Sequence, residues 1–192
     1  MLAILQLWGG LAYLMNKICF CLAERSRNRQ ANRRWRLWSW AIFLAGLPAW
    51  VAVFAMEHNW IAAAVESGGV PAMAVGLIIT LRGHGAEPRW LDRLAKYSVV
   101  FGLGASLYDF GGITTVTQCL ELAIAAGFLM GTYLLAKDNP RGYFWFMLGN
   151  VSCSALMAVQ GYYILMAQQA ISLAFVVDAY RQRRKAGAEK HR

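Results

Sequence analysis

The sequence predicts an all-α polytopic membrane protein with seven transmembrane helices, arranged as two parallel three-helix bundles joined by a linker helix. Of the 192 residues, 58% are hydrophobic and 15% are charged, whereas a soluble domain carries about 25% charged residues. The apolar residues fall in blocks about twenty residues long, the length an α-helix needs to cross about 30 Å of hydrocarbon. These features exclude a soluble enzyme, a secreted disulfide scaffold and a disordered chain.

Seven apolar runs, separated by polar breaks, give the predicted helices in order. The fourth run is the least regular because it contains four glycines and is short, and the seventh carries Asp178 near its end. The predicted ranges are 2–23, 38–56, 60–81, 95–112, 116–136, 143–161 and 164–180.

The basic residues fix the predicted orientation. Eighteen of the nineteen Lys and Arg residues lie in the tail after Tyr180 or in alternate loops, with Lys96 counted at the loop edge of the fourth span; Lys17 alone lies deeper within a span, near its cytoplasmic end. Cytoplasmic loops carry the excess of Lys and Arg in membrane proteins. We therefore expect the N-terminus outside and the C-terminus in the cytoplasm. The net charge of +9 then reflects topology, and we expect no nucleic-acid partner.

An internal repeat is predicted by two shifts of the sequence against itself. A shift of 103 residues places Glu66 on Gln169, and a shift of 115 places Gln6 on Glu121. An odd linker helix gives both three-helix units the same orientation, and such parallel repeats carry substrate sites at their interface. The predicted units are 1–82 (first repeat), 83–113 (cytoplasmic loop and linker helix), 114–185 (second repeat) and 186–192 (basic cytoplasmic tail).

Four polar residues lie at similar depth in the outer half of the predicted spans: Gln6, Glu66, Glu121 and Gln169. A carboxylate at a helix centre costs about 2.5–3.5 kcal/mol on insertion scales, so a role is expected for each acid. Facing one axis, the four groups would form a polar ring for a hydroxylated or amide-bearing solute. The alternative is that they hydrogen-bond between helices and hold the bundle together.

The sixth span predicts a second binding element. Phe146 and Asn150 are four residues apart and share a helix face, with Trp145 beside them. A ring face beside an amide suits a flat heteroaromatic solute, stacked on one side and hydrogen-bonded at its edge. Ring and carboxylates together would favour a cation over an anion. Interfacial belts are the expected role of the remaining aromatic residues at the span ends, namely Tyr143, Phe144, Trp35, Trp38, Trp40 and Trp60.

Cofactor, metal and catalytic roles are not expected. The four cysteines lie in apolar runs without zinc spacing, so we interpret them as small buried hydrophobes. His58 and His84 lie in loops and His191 in the tail. No Walker A motif is present, which argues against an ATP-driven pump, and the last span lacks a central lysine for a retinal Schiff base.

The chain resembles the bacterial PnuC family of vitamin-riboside transporters, relatives of the SWEET sugar facilitators. The resemblance covers the whole 3+1+3 plan. Its motifs are the run Tyr143 to Asn150, the segment Gln160-Gly161-Tyr162-Tyr163 and the basic tail. PnuC proteins carry a Trp-x-x-x-Asn signature on this helix; here Phe146 stands at that spacing from Asn150, and Trp145 is one position early. The resemblance implies facilitated diffusion across a bacterial inner membrane.

Three hypotheses follow from the sequence. The first is a permease for a small polar or heteroaromatic solute, with Gln6, Glu66, Glu121, Trp145, Phe146, Asn150 and Gln169 as the substrate-binding residues. The second is a proton-linked carrier in which Glu66 or Glu121 titrates. The third is a non-transporting accessory subunit of a larger membrane complex. The expected partners are the lipid bilayer, a small solute, and either further copies of the chain or other membrane subunits.

Overall fold

The computed structural model describes residues 1–58, 60–109 and 115–189, and within these ranges the chain is all-helical. The predicted fold class is confirmed at this level. The end of predicted span four at 110–112 and the last three residues of the predicted tail lie outside the described residues. The helices are α1 (Leu2–Arg25), α2 (Arg29–Met56), α3 (Trp60–Gly68), α4 (Val70–Arg82), α5 (Arg89–Asp109), α6 (Val116–Ala136), α7 (Gly142–Val159) and α8 (Tyr163–Glu189).

Six helical segments of the described chain are long and apolar enough to cross a membrane, which indicates a membrane protein. The third of these is Ala62–Arg82, which combines most of α3 with α4. Helix α5, which corresponds to the predicted fourth span, is not among the six. It begins with a polar turn containing Arg89, Asp92, Arg93 and Lys96.

Two helices are longer than the predicted spans. Helix α2 begins at Arg29, whereas the apolar run begins at residue 38, and Asn28 caps it by accepting a hydrogen bond from the Gln30 amide at 2.8 Å. Helix α8 continues through the basic segment to Glu189. Hydropathy marks the part of a helix suited to lipid, and charged helical turns can extend beyond it.

The predicted third span is divided into two helices at Gly69. Helix α3 ends at Gly68 and α4 begins at Val70, with Pro71 in its first turn, where the missing amide hydrogen is tolerated. Helix α2, in contrast, is unbroken although Pro48 lies inside it. Helix α8, which the predicted repeat would pair with α3 and α4, is also continuous.

The helices pack in chain order around the bundle. Helix α1 packs on α2, α2 on α3 and α4, and α6 on α7, which packs on α8. Helix α8 returns to α1, while α4 and α5 contact α6. The groups α1–α4 and α6–α8 therefore meet along two lines, one at α1 and α8 and the other at α4, α5 and α6.

Glycines allow the closest helix approaches. A Cβ on Gly127 of α6 would lie 2.5 Å from the Gly149 nitrogen of α7, so backbone meets backbone there. A Cβ on Gly76 of α4 would lie 2.4 Å from the Trp40 ring. Trp40 is 1% exposed and packs edge-on against Phe20. Its predicted role as a belt residue is therefore wrong, because the Gly76 gap admits the indole into the core.

The two ends of the bundle differ in packing. The basic end carries the loops 26–28, 83–88 and 137–141 and the last turns of α8, and the opposite end carries the starts of α1, α6 and α8. Along these three helices, the first buried residues are Gly9, Gly127 and Ser172 respectively. These three helices are thus less buried at the opposite end, where Val53 of α2, Ala63 of α3 and Leu156 of α7 are nevertheless buried.

Candidate functional site

A tyrosine and a carboxylate meet inside the half of the bundle that lies opposite the basic end. The Tyr13 hydroxyl of α1 donates a hydrogen bond to the Glu66 carboxylate of α3. The Tyr13 ring packs edge-on against Phe43 at 4.9 Å between ring centroids, which fixes its direction. Glu66, a predicted site residue, therefore points into the bundle and has a partner that the sequence analysis did not identify.

Lys17 lies one turn further along the same face of α1. It is 5% exposed, and its Nζ donates to the Tyr13 carbonyl oxygen at 3.4 Å. The same Nζ lies 5.5 Å from the ring centroid of Phe128 and 5.8 Å from that of Phe146. These rings belong to α6 and α7, so Lys17 connects the first group of helices with the second.

Glycines on the facing helices make room for the rings of Phe146 and Phe128. A Cβ on Gly131 would lie 2.4 Å from Phe146 Cδ1, and a Cβ on Gly149 would lie 2.9 Å from Phe128 Cδ1. The two rings meet edge-to-face with centroids 6.1 Å apart. Phe146, the predicted aromatic ring of the site, is thus held in place by its packing against Phe128 of α6.

Asn150 is fully buried, as expected of an amide placed deeper in the span than the aromatic residues of an interfacial belt. Its Nδ2 donates to the Phe146 carbonyl oxygen at 2.6 Å, one turn back on α7. Its Oδ1 has no hydrogen-bond partner among the described residues. A buried amide oxygen without a donor is costly, so Asn150 offers an acceptor that a solute could satisfy.

The other residues of the predicted polar ring lie in different surroundings. Gln6 is exposed at the opposite end, on the same stripe of α1 as Tyr13 and Lys17. Glu121 is half-buried and takes part in an interaction, and Gln169 has a buried Oε1 without a donor among the described residues. The structure brings Glu66 close to Tyr13, and it does not bring the four predicted residues into direct contact with one another.

The aromatic residues at the start of α7 differ in exposure and in contacts. Trp145 is half-buried, and Phe144 is exposed beside Tyr180, with ring centroids 4.5 Å apart. Tyr143 is 2% exposed and donates to Glu24 Oε1 at 2.9 Å. The belt prediction for Tyr143 is wrong, since a buried carboxylate draws its hydroxyl inward.

A network of ion pairs closes the basic end. Arg36 of α2 binds Glu24 of α1 at 2.6 Å and Asp138 of the α6–α7 loop at 2.6 Å. Arg183 of α8 binds Asp138 at 2.8 Å and Glu24 at 3.5 Å. We call these four residues the basic-end ion cluster. It links both groups of helices where their polar ends would otherwise separate.

Neighbouring charges keep Asp138 of this cluster ionised. Burial alone would raise the pKa of Asp138, but the guanidinium groups of Arg36 and Arg183 hold that pKa below its usual value. His84 approaches the same carboxylate, with its Nε2 3.8 Å from Asp138 Oδ2. A cavity of about 160 Å³ is lined by Arg36, His84 and Asp138, so the cluster is open to solvent from the basic end.

A second ionic contact ties α5 to α6. Lys137 Nζ lies 2.7 Å from Glu87 Oε1 and 2.9 Å from Asp92 Oδ1. The hydrogen bond from Lys137 lowers the pKa of Glu87. This contact anchors the polar first turn of α5, which hydropathy alone would leave outside the bundle.

Several polar groups hold helices together. Asn16 Nδ2 donates to the Ser39 carbonyl and hydroxyl oxygens at 3.0 and 2.9 Å. Gln168 Nε2 donates to the Gly10 carbonyl at 2.8 Å. These contacts join α1 to α2 and to α8, and they fit the interhelical role that the sequence analysis left open for polar residues.

Asp178, near the end of the last predicted span, and the cysteines lie in defined surroundings. Asp178 accepts from Arg25 Nε at 2.8 Å and from Cys21 Sγ at 2.9 Å. Cys19 and Cys21 are buried as predicted, but Cys119 is exposed, because it lies on the less buried half of α6. Among the described residues, no group of three or more His, Cys, Asp or Glu side chains is placed to hold a metal ion.

The sequence analysis missed Lys17 and the basic-end ion cluster. Lys17 carried a signal, because it is the single basic residue inside a predicted span and such a residue needs a compensating environment. Arg36 and Arg183 were counted only among the loop and tail charges, and nothing in the spacing along the chain pairs them with Glu24 and Asp138. Their separation in sequence makes the cluster visible only in three dimensions.

No protein-family model, curated protein or solved structure matches this chain.

Proposed function

We propose that this protein is a membrane permease for a small polar or heteroaromatic solute, acting by facilitated diffusion. The observation that carries the proposal is the polar interior around Tyr13, Lys17, Glu66 and Asn150, in which the Asn150 oxygen lacks a donor among the described residues. Charged and amide groups inside apolar helices are costly and typically mark substrate pathways.

The position of these groups supports a pathway over a structural role. Lys17 of α1 contacts rings of α6 and α7, at the meeting of the two helix groups. Substrate sites of repeat-built transporters lie at such interfaces near the bilayer midplane. Asn16 with Ser39, in contrast, joins adjacent helices of one group, while the structural bond of Gln168 to Gly10 also joins α8 to α1 across the groups.

The difference between the two ends suggests how a solute would enter. With the basic end in the cytoplasm, as the distribution of Lys and Arg favours, the ion cluster closes the cytoplasmic side while the outer halves of α1, α6 and α8 are less buried. Release inward would require the cluster to separate.

We further propose that the chain follows the 3+1+3 plan of the PnuC and SWEET transporters in a bacterial inner membrane. In this arrangement α5 is the linker helix between α1–α4 and α6–α8, two parallel three-helix bundles. Helix α5 contacts α3, α4 and α6, which is the position a linker would take. The resemblance of the α7 motif, with Phe146 and Asn150 on one face, supports the same assignment.

Ligand binding tests the proposal directly. The purified protein is screened by thermal shift against vitamins, nucleosides and sugars, since a ligand at a hundredfold excess over its Kd stabilises by about 2.7 kcal/mol. A stabilising compound should lose its effect in Asn150→Ala and in Glu66→Ala. It should keep its effect in Gln160→Ala, a change in the exposed turn before α8.

Uptake of the same compound into proteoliposomes completes the test. Facilitated diffusion predicts uptake that follows the solute gradient and does not change when a proton gradient is collapsed; a dependence on that gradient would instead favour carrier action through Glu66 or Glu121. If no compound binds and other membrane proteins co-purify with the chain, the permease proposal is wrong and the accessory-subunit role replaces it.

A further inference from the structure

We propose that the interior site takes a small aromatic or heteroaromatic solute that bears a carboxylate, and that Lys17 binds the carboxylate. This inference rests on the proposed permease function and names the class of solute. It reverses the preference for cations that the carboxylates alone would give.

The surroundings of Lys17 leave its charge without an ionic partner. The ion pairs among the described residues use other basic groups, and no carboxylate oxygen of those residues lies within 4.0 Å of Lys17 Nζ. Its hydrogen-bond acceptor is the Tyr13 carbonyl, which is 3.4 Å away. Ring faces attract a cation much less strongly than burial penalises it, so an anion would complete the site.

Glu66 does not serve as the anionic partner of Lys17. The Glu66 carboxylate accepts a hydrogen bond from the Tyr13 hydroxyl, at the far end of the ring whose face lies 5.7 Å from Lys17 Nζ. The Cys153 thiol of α7 lies within electrostatic range of Lys17 and is the other titratable group facing it. The ammonium therefore remains available to a solute.

A second unsatisfied donor lies close to the same tyrosine. The Trp50 ring of α2 is 6.3 Å from the Tyr13 ring, and its buried Nε1–H has no acceptor among the described residues. This indole packs against Gly9, where a Cβ would lie 2.7 Å from Nε1, two turns of α1 before Lys17, so we assign it to a second polar group of the solute and the carboxylate to Lys17 alone. A neutral sugar or nucleoside would leave the charge of Lys17 uncompensated.

The rings around Lys17 favour a flat solute. Phe128 and Phe146 stand edge-to-face beside the ammonium, and Asn150, one turn from Phe146, presents its unpaired oxygen. A solute ring packed against Phe146 would place a ring N–H or hydroxyl near Asn150 and its carboxylate near Lys17. An aromatic acid is therefore the class of solute that satisfies Lys17, Phe146 and Asn150 together.

Matched acid and amide probes test the inference, because each pair has the same shape and differs in charge. The pairs are benzoate with benzamide, phenylacetate with phenylacetamide, and indole-3-carboxylate with its amide. Binding to the full chain in detergent is measured by thermal shift and by titration calorimetry. We expect at least one acid to bind about tenfold more tightly than its amide. If no acid binds more tightly than its amide, the inference is wrong.

Variants assign the preference to Lys17. The acid preference should disappear in Lys17→Met, remain in part in Lys17→Arg, and remain unchanged in Lys185→Met, which removes an exposed charge of α8. If Lys17→Met does not fold, Lys17→Gln replaces it, and the wild-type comparison still decides. An acid preference that persists without the Lys17 charge would overturn the assignment.

The outcomes separate this inference from the permease proposal. If acids and amides bind equally and binding depends on Asn150, the permease proposal stands and the carboxylate class is wrong. If none of the probes and none of the neutral solutes binds, both are wrong.

Discussion

Arg36 of α2 binds the Glu24 carboxylate of α1 at 2.6 Å, and the Glu24 side chain is only 3% exposed. A buried carboxylate of this kind depends on its cationic partners. The same guanidinium reaches Asp138 through its second terminal nitrogen, so one arginine joins two helices and a loop. This geometry gives the first prediction.

Replacing Arg36 should destabilise the protein strongly. Arg36→Met leaves Glu24 buried with Arg183 at 3.5 Å as its remaining cation, and breaking a buried pair typically costs about 3–5 kcal/mol. We expect the apparent Tm in detergent to fall by about 10 °C. Arg34→Gln, a change on the exposed face of the same helix, should leave the Tm almost unchanged. Equal Tm values for Arg36→Met and wild type would show that the cluster does not hold the basic end.

Stability should fall in acid because of Asp138. Its pKa is lowered in the folded protein, so its contribution is complete above the unfolded value of about 3.9 and is lost as the pH falls through the lower folded value. Glu87 acts in the same direction, since Lys137 lowers its pKa. The measurement is the Tm of wild type between pH 7 and pH 3.

The matched variants for this pH series are Asp138→Asn and Glu57→Gln. Asp138→Asn should have a lower Tm at pH 7 and a flatter dependence on pH below about 4.5. Glu57→Gln, in the exposed turn at the opposite end, should follow the wild-type curve. A wild-type slope in Asp138→Asn would contradict the prediction.

A methyl group at Gly127 should disturb the contact of α6 with α7. Its Cβ would lie 2.5 Å from the Gly149 nitrogen and 2.7 Å from the Trp145 carbonyl oxygen, and neither backbone atom can move aside alone. We expect Gly127→Ala to cost about 1–3 kcal/mol, measured by thermal unfolding. Gly187→Ala, where a Cβ meets nothing within 4 Å, should change stability by less than about 0.5 kcal/mol.

The hydrogen bond between Tyr13 and Glu66 should show energetic coupling. A double-mutant cycle of Tyr13→Phe and Glu66→Gln isolates the pair from the other effects of each change. Hydrogen bonds between membrane helices give coupling energies of about 0.6 kcal/mol, rising to about 1.7 kcal/mol. The same cycle with Tyr97→Phe, an exposed ring of α5, should give none. Additive effects for Tyr13 and Glu66 would show that the bond is unimportant for stability.

Composition and hydropathy were sufficient to predict the helical class and the approximate position of each apolar helix. Both are local properties, because about twenty successive apolar residues satisfy their own backbone hydrogen bonds in a helix and match the bilayer. The burial of Phe146 and Asn150 was also predictable, since their spacing of four places them on one helix face. The helix ends were less predictable, because Asn28 caps α2 in a polar segment that hydropathy does not mark.

The tertiary structure alone decided which polar groups meet. Tyr13 reaches Glu66 across 53 positions of sequence, and Arg36 reaches Asp138 across 102. Such pairs depend on helix rotation and neighbour order, which are set by close contacts such as Gly127 with Gly149 and Gly76 with Trp40. Those contacts buried Trp40, whose position at a span end predicted an interfacial ring, and they placed Lys17, predicted near a span end, in the interior. The amino-acid order defines which side chains a helix presents, and packing determines what each one faces.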